Sequence, residues 1–172
     1  MREITMFVAA VLVCGVLLLI SSVSWACDTK EPLDHRLMRH EGVRTCAYDD
    51  HLGHLTIGIG HLLQRNEHHE EMCWSPEKVR HVFDMDVERA RHNAQYDVSA
   101  RTWDRLSQTR RDVLTELAFQ VGGYGLSLFH RMLAAIQEGN FKLAARNLLK
   151  SRLAMQTPSR AHELACLLEH GD

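Results

Sequence analysis

The chain has 172 residues, a formal net charge of −2, 45% apolar residues and 24% charged ones. That length suits one domain with a proper core and is too short for two comfortable ones. The composition is that of an ordinary globular protein, and the charge balance argues against a nucleic-acid partner.

The N-terminus is read apart from the fold. A short stretch with one arginine precedes fifteen residues without a charge, Met6–Ile20, and SSVSWA follows, ending small-x-small at Ser24, Trp25 and Ala26. This is the pattern of an export signal with a signal-peptidase site. The uncharged run is shorter than the roughly 20 residues of a membrane span, but counting on to Ala26 reaches that length, so a retained signal-anchor is the alternative. A lipoprotein reading of Cys27 is disfavoured, because Ser24 stands where a branched apolar residue is expected. Export is expected either way.

Beyond Cys27 the chain reads mainly as helices. PLDHRLMRHE places Leu33, Leu37 and Met38 on one side and stops at Gly42, a good C-terminal cap residue. RTCAYDDHLGHLTIGIG changes period, with a turn at Gly53 and alternation of Leu55, Ile57 and Ile59, which predicts a hairpin. HLLQRNEHHEEMCW is polar and reads as a loop. Ser75 then caps a helix with Pro76 in its first turn, continued at helical spacing by Val79, Val82, Phe83, Val87 and Ala90. WDRLSQTRRDVLTELAFQVGG predicts a further helical stretch, interrupted near Ser107 and ending at Gly122 and Gly123. LFHRMLAAIQEGN, closed by Gly139, and FKLAARNLLKSRLA predict two shorter helices. QTPSRAHELACLLEHG repeats the cap-then-proline opening at Thr157 and Pro158. The layout is a small hairpin lobe followed by a helical lobe.

The chemistry concentrates between Glu41 and His61. Glu41 falls in the last turn of the first helix, where the negative end of the dipole disfavours its ionised form. A carboxylic acid kept protonated is what a general acid requires. Asp49 and Asp50 lie at the hairpin turn, where solvent and backbone N–H groups favour a carboxylate. One acid and one carboxylate held apart is the arrangement for breaking a glycosidic bond. Thr56, on the second strand, offers a hydroxyl that could hold a water against the aspartate. Taken by residue type alone, capping and surface solvation would explain these side chains as well.

The order of the motif is more specific. Glu41-Gly42, Asp50, Gly53 and Thr56-Ile57-Gly58-Ile59-Gly60-His61 resemble the active-site segment of the phage-type lysozymes, glycoside hydrolase family 24. FQVG at Phe119–Gly122, AARNLLKSR at Ala144–Arg152 and QTPSR at Gln156–Arg160 resemble that family's helical lobe, in order. The resemblance covers about Leu33 to Glu169, with a gap between His61 and Pro76. It implies an α+β, mainly α, lysozyme-like fold: a small β-hairpin lobe and a larger helical lobe with the active-site cleft between them. With residues 1–26 read from their own pattern as signal peptide or signal-anchor, it implies residues 27–172 as a muramidase domain. Glu41 would protonate the leaving oxygen, and Asp50 with Thr56 would position the attacking water in an inverting hydrolysis. His61 would be structural and pair with Asp86, and Arg160 would lie against Glu41. Leu62, Phe119 and Asn147 would line the saccharide groove, while Met132 falls where the family has a small polar residue. The implied substrate is bacterial peptidoglycan, taken by an exported monomer without metal or cofactor, which touches a membrane only through an uncleaved leader.

Two features depart from that pattern or add to it. The net charge is slightly acidic until the twelve histidines titrate; each adds a positive charge below about pH 6.5, which would favour a polyanionic wall under mild acid. Most are expected to be solvated surface residues. In an oxidising compartment the four cysteines after the leader, Cys27, Cys46, Cys73 and Cys166, permit three full pairings. Cys46 and Cys73 flank the hairpin lobe and are expected to staple it, which leaves Cys27 with Cys166. Rival readings are a zinc amidase using His51, His54, His61, His68 and His69 with Glu70 and Glu71, a lysozyme-like binding protein without catalysis, and a lytic transglycosylase. No HExxH helix supports the first, and the matching Glu41, Asp50 and Thr56 disfavour the others.

Overall fold

The computed structural model describes residues 27–50, 53–63 and 73–172. The leader on which the export reading rests, residues 51–52 and residues 64–72 of the polar loop lie outside the described residues. In chain order the elements are α1 (Leu33–Glu41), β1 (Arg44–Asp49), β2 (Leu55–Gly58), β3 (His61–Leu62), α2 (Pro76–Val98), α3 (Ala100–Arg105), α4 (Gln108–Ser127), α5 (His130–Gln137), α6 (Phe141–Leu149), α7 (Arg152–Gln156) and α8 (Pro158–His170). The fold is α+β, mostly helical with one small antiparallel sheet, as expected. Among the described residues no helix is long and apolar enough to cross a membrane.

Helix α2 joins the two lobes. Ser75 accepts a hydrogen bond from the Lys78 amide and Pro76 opens the first turn, so the start is set by local chemistry. Its buried residues Val79, Phe83, Val87, Ala90, Ala94 and Val98 recur every three or four positions and form one face. At 1.5 Å per residue the 23-residue helix is about 34 Å long, enough to serve two cores. Val79, Phe83 and Val87 pack with Leu33, Leu37, Ile57, Ile59 and Trp74 in the small lobe. Ala90, Ala94 and Val98 enter the larger core around Leu114, Leu117, Ile136, Leu148 and Leu164. Phe119 packs against both clusters and meets Phe83 edge-on, with ring centroids 6.0 Å apart.

The sheet has the order β1-β2-β3, all antiparallel. The expected hairpin is therefore two strands of a three-stranded sheet, because His61 and Leu62 turn back to pair with Ile57 and Thr56. Two disulfides are present. Cys46–Cys73 ties β1 to the segment that opens α2, and Cys27–Cys166 ties the first described residue to α8. Both pairs are those expected from the sequence.

Three helix boundaries differ from expectation. The stretch read as ending at Gly122 resumes after it and runs to Ser127; Gly122 alone leaves the helix, at φ 73° and ψ 166°, a region open to glycine. FKLAARNLLKSRLA is two helices, because the Ser151 hydroxyl accepts from the Ala154 amide and starts α7. Thr157 precedes Pro158 as expected but does not cap α8 with its side chain. Its hydroxyl donates to the Leu153 carbonyl and accepts from Gln120, a tertiary contact invisible in the local pattern.

Candidate active site

The two lobes border a cleft of about 970 Å³ whose walls include Glu41, Asp50, Thr56, Leu62, Phe119 and Arg160. Glu41 reaches it because α1 stops there. Gly42, at φ 74°, returns its amide to the Met38 carbonyl at 2.9 Å and ends the helix at the acid. Gly60 completes the seat. It sits at φ 70°, and a Cβ on it would stand 3.1 Å from Oε2 and 3.3 Å from Cγ of Glu41. The glycine in the Ile-Gly-His run is thus needed for backbone conformation and for the close approach of the acid.

Glu41 is held from the helical lobe. Arg160 of α8 donates from Nη1 to Glu41 Oε1 at 2.7 Å and from Nε to Glu116 Oε1 at 2.9 Å. Arg36 of α1 donates from Nε to the other Glu116 oxygen at 2.5 Å. Glu116 is 0% exposed and Arg36 1%, so the charges are withdrawn from water and survive through mutual pairing. The family resemblance implied Arg160 against Glu41, whereas Arg36 and Glu116 were not singled out in the sequence. The available signal was a glutamate inside VLTELA, a helical run whose neighbours are all core residues. His40 lines the same cleft, with Nε2 at 3.2 Å from Glu163 and 3.6 Å from Glu116. Burial, followed by the nearby Arg160 guanidinium, pushes its pKa below the usual histidine range, against the pull of Glu116 and Glu163.

Asp50 is held differently. The His54 amide donates to Asp50 Oδ1 at 2.8 Å, and the His54 ring lies 3.4 Å from Oδ2. The turn is closed by the Asp50 amide on the His54 carbonyl at 2.9 Å and the Gly53 amide on the Asp50 carbonyl at 3.0 Å. Buried Thr56 donates its hydroxyl to the His54 carbonyl at 3.1 Å. With its proton used there, the oxygen keeps acceptor capacity for a water hydrogen. Arg44 stacks over the Tyr48 ring at 4.2 Å on the same wall.

His61 and Asp86 come together, Nδ1 to Oδ2 at 2.7 Å, both buried, with the imidazole tilted on Trp74 at 5.5 Å. This pair anchors β3 to α2. Leu62 is exposed and Phe119 half-buried on the cleft wall. Asn147 is not in this cleft. It lies with buried Met132 in an adjoining apolar pocket of about 620 Å³, where its amide donates to the Arg131 carbonyl at 3.0 Å. The two cavities meet at Val121, Leu153 and Gln156. Among the described residues no three His, Cys, Asp or Glu side chains group to hold a metal. His51, His68, His69, Glu70 and Glu71 of the zinc reading lie outside the described residues.

Comparison with known proteins follows this geometry. Residues 38–161 match the phage lysozyme family. Probable T4-type lysozyme 2 of Dictyostelium discoideum is 26% identical over 160 residues, covering 81% of this chain and 94% of that protein. Probable T4-type lysozyme 1 of the same organism is 26% identical over 152 residues, covering 76% and 89%. The pre-baseplate central spike protein Gp5 of Enterobacteria phage T4 is 26% identical over 156 residues; the match takes in 79% of this chain but only 27% of that protein.

Proposed function

Because this chain belongs to the phage lysozyme family, a family of peptidoglycan-directed glycoside hydrolases, we propose that it is a muramidase. It cleaves the β-1,4 bond between N-acetylmuramic acid and N-acetylglucosamine in bacterial peptidoglycan and so degrades the cell wall. The observation that carries this reading is one cleft lined by Glu41, held by Arg160 at 2.7 Å, and by Asp50 and Thr56, which both bond to the His54 backbone.

Glu41 gives its proton to the glycosidic oxygen as the C–O bond breaks, and the leaving sugar departs as an alcohol. A water held by Asp50 and Thr56 attacks the anomeric carbon from the opposite face, and Asp50 takes the proton that the water loses. The product is inverted at that carbon. Solvent then returns a proton to Glu41 and removes one from Asp50. Leu62 and Phe119 supply apolar surface to the sugar rings from the cleft wall, and Asn147 extends the contact surface into the adjoining pocket.

The exported form is the working one. The Cys27–Cys166 and Cys46–Cys73 disulfides suit an oxidising compartment, where peptidoglycan is also found. The leader is either cleaved after Ala26 or kept as an anchor, and the domain acts as a monomer.

The test is to treat purified peptidoglycan with the protein and with Glu41→Gln, then weigh the soluble products. Disaccharide-peptides carrying one added water per cut, from the wild type alone, are expected. Products lacking that water would make the enzyme a transglycosylase. Absence of products from a folded protein that stays bound to the wall would leave a binding protein.

A further inference from the structure

Resting on the peptidoglycan reading, we infer that the outer face of α5, α6 and α7 is a docking surface for carboxylates of the wall polymer, a second contact outside the cleft. The charge of the chain is sorted by region. Residues 128–156 carry Arg131, Lys142, Arg146, Lys150 and Arg152 against one carboxylate, Glu138, a balance of +4. The chain totals −2, so its remaining residues stand at −6. All five cations are exposed. Arg131, Lys150 and Arg152 rim the apolar pocket beside the cleft. Arg146 and Lys142 precede Lys150 by one and two helical turns, so the three form one stripe. That stripe points away from the buried Ala144, Ala145 and Leu148 of α6.

Surface arginines elsewhere meet acids: Arg39 pairs with Glu31 and Glu163, Arg80 with Asp34 and Asp84, and Arg91 with Glu88. Among the described residues, none of the five cations on this face forms an ion pair. Their arrangement works against the helix that carries them. Like charges at i, i+4 destabilise a helix, and Lys142 lies in the first turn of α6, at the positive end of its dipole. A solvent-facing cluster that costs stability points to an anion brought from outside. Continuity with the cleft chooses that anion. The pocket rimmed by three of the cations meets the cleft at Val121, Leu153 and Gln156, so a polymer lying in the cleft passes directly onto this face. The anions that peptidoglycan carries are the carboxylates of its peptides. Exposed charges attract over several ångströms and weaken with salt, which suits a surface that retains the enzyme on an acidic wall.

The experiment measures binding without cleavage. Full-length Glu41→Gln protein is sedimented with peptidoglycan freed of phosphate polymers, over a range of salt, with and without Lys142→Glu/Arg146→Glu. The double reversal is expected to weaken binding at low salt by about tenfold and to flatten its salt dependence. Its thermal midpoint should not fall, because both positions are exposed and a glutamate at Lys142 complements the dipole. Amidating the peptidoglycan carboxylates should weaken the parent and leave the reversed protein little changed. Lys78→Glu/Arg80→Glu, which removes the same charge from exposed positions on α2, should cost far less. Equal losses from the α2 and α6 reversals would reduce the effect to net charge and overturn the proposal, as would no loss from α6. Dependence on Lys142 and Arg146 seen only with phosphate polymers or anionic vesicles would also overturn it, by naming another anion. Failure of the wild type to cleave peptidoglycan would remove the muramidase reading instead, and the binding comparison stands apart from that outcome because it needs no cleavage.

Discussion

Glu41 and Asp50 face one cleft with nearly equal side-chain exposure, 22% and 26%, but their supports differ. Glu41 rests on Arg160 and, through it, on Glu116, with side chains 8% and 0% exposed. Asp50 rests on a turn amide and on His54, whose side chain is 56% exposed. Glu41 is fixed by a buried ion network crossing α1, α4 and α8, whereas Asp50 meets the amide and ring of His54, four positions along the chain. In the mechanism proposed above, the first side chain would give its proton from a seat fixed across the fold, and the second would act from a turn open to water.

That contrast can be broken from either side. Glu41→Gln should cut the rate on peptidoglycan by about 10²–10⁴-fold, with the thermal midpoint barely moved. Glu116→Gln tests the hidden half of the same support. Leaving Arg36 and Arg160 undercompensated in the core should cost about 3–5 kcal/mol, read by chemical denaturation, with activity falling alongside. Asp50→Asn should slow cleavage roughly a hundredfold yet leave the denaturation midpoint unchanged, because the His54 side chain that it pairs with lies at the surface. Were Asp50→Asn as destabilising as Glu116→Gln, the distinction drawn here would collapse. Gly60→Ala sharpens the comparison from the backbone: it forces a φ of 70° on a side chain that crowds Glu41, for about 1–3 kcal/mol of strain and a loss of rate without loss of substrate binding. Smallest of all, His54→Ala removes an exposed pair worth about 0.2–1 kcal/mol, so its rate should stay within a few-fold of the wild type.

What was legible follows the range of the interaction. Ser75-Pro76 announced α2, and Gly42 announced the end of α1, because capping acts over four residues. The order of Glu41, Asp50, Thr56 and His61 pointed to one site because a sheet and a helix end bring near neighbours together. Ser151, by contrast, divided a stretch whose apolar period read as continuous, and Thr157 spent its hydroxyl on Gln120 instead of its own helix. Asn147 was grouped with the groove residues but faces the adjoining pocket, since α6 carries it behind Val121 and Leu153.

The amino-acid sequence by itself pointed to the fold class, to a small hairpin lobe followed by a helical one, and to the candidate site residues, and it favoured Cys46–Cys73 among three permitted pairings. These depend on local propensity, on period and on a motif that lies within 21 consecutive residues. Only the tertiary structure decided how the acid is held. Arg36 and Glu116 are 80 residues apart, and Arg160 and Glu41 are 119 apart. Buried charges find partners wherever the packed helices bring them, because a charge taken out of water must be neutralised in space and not along the chain.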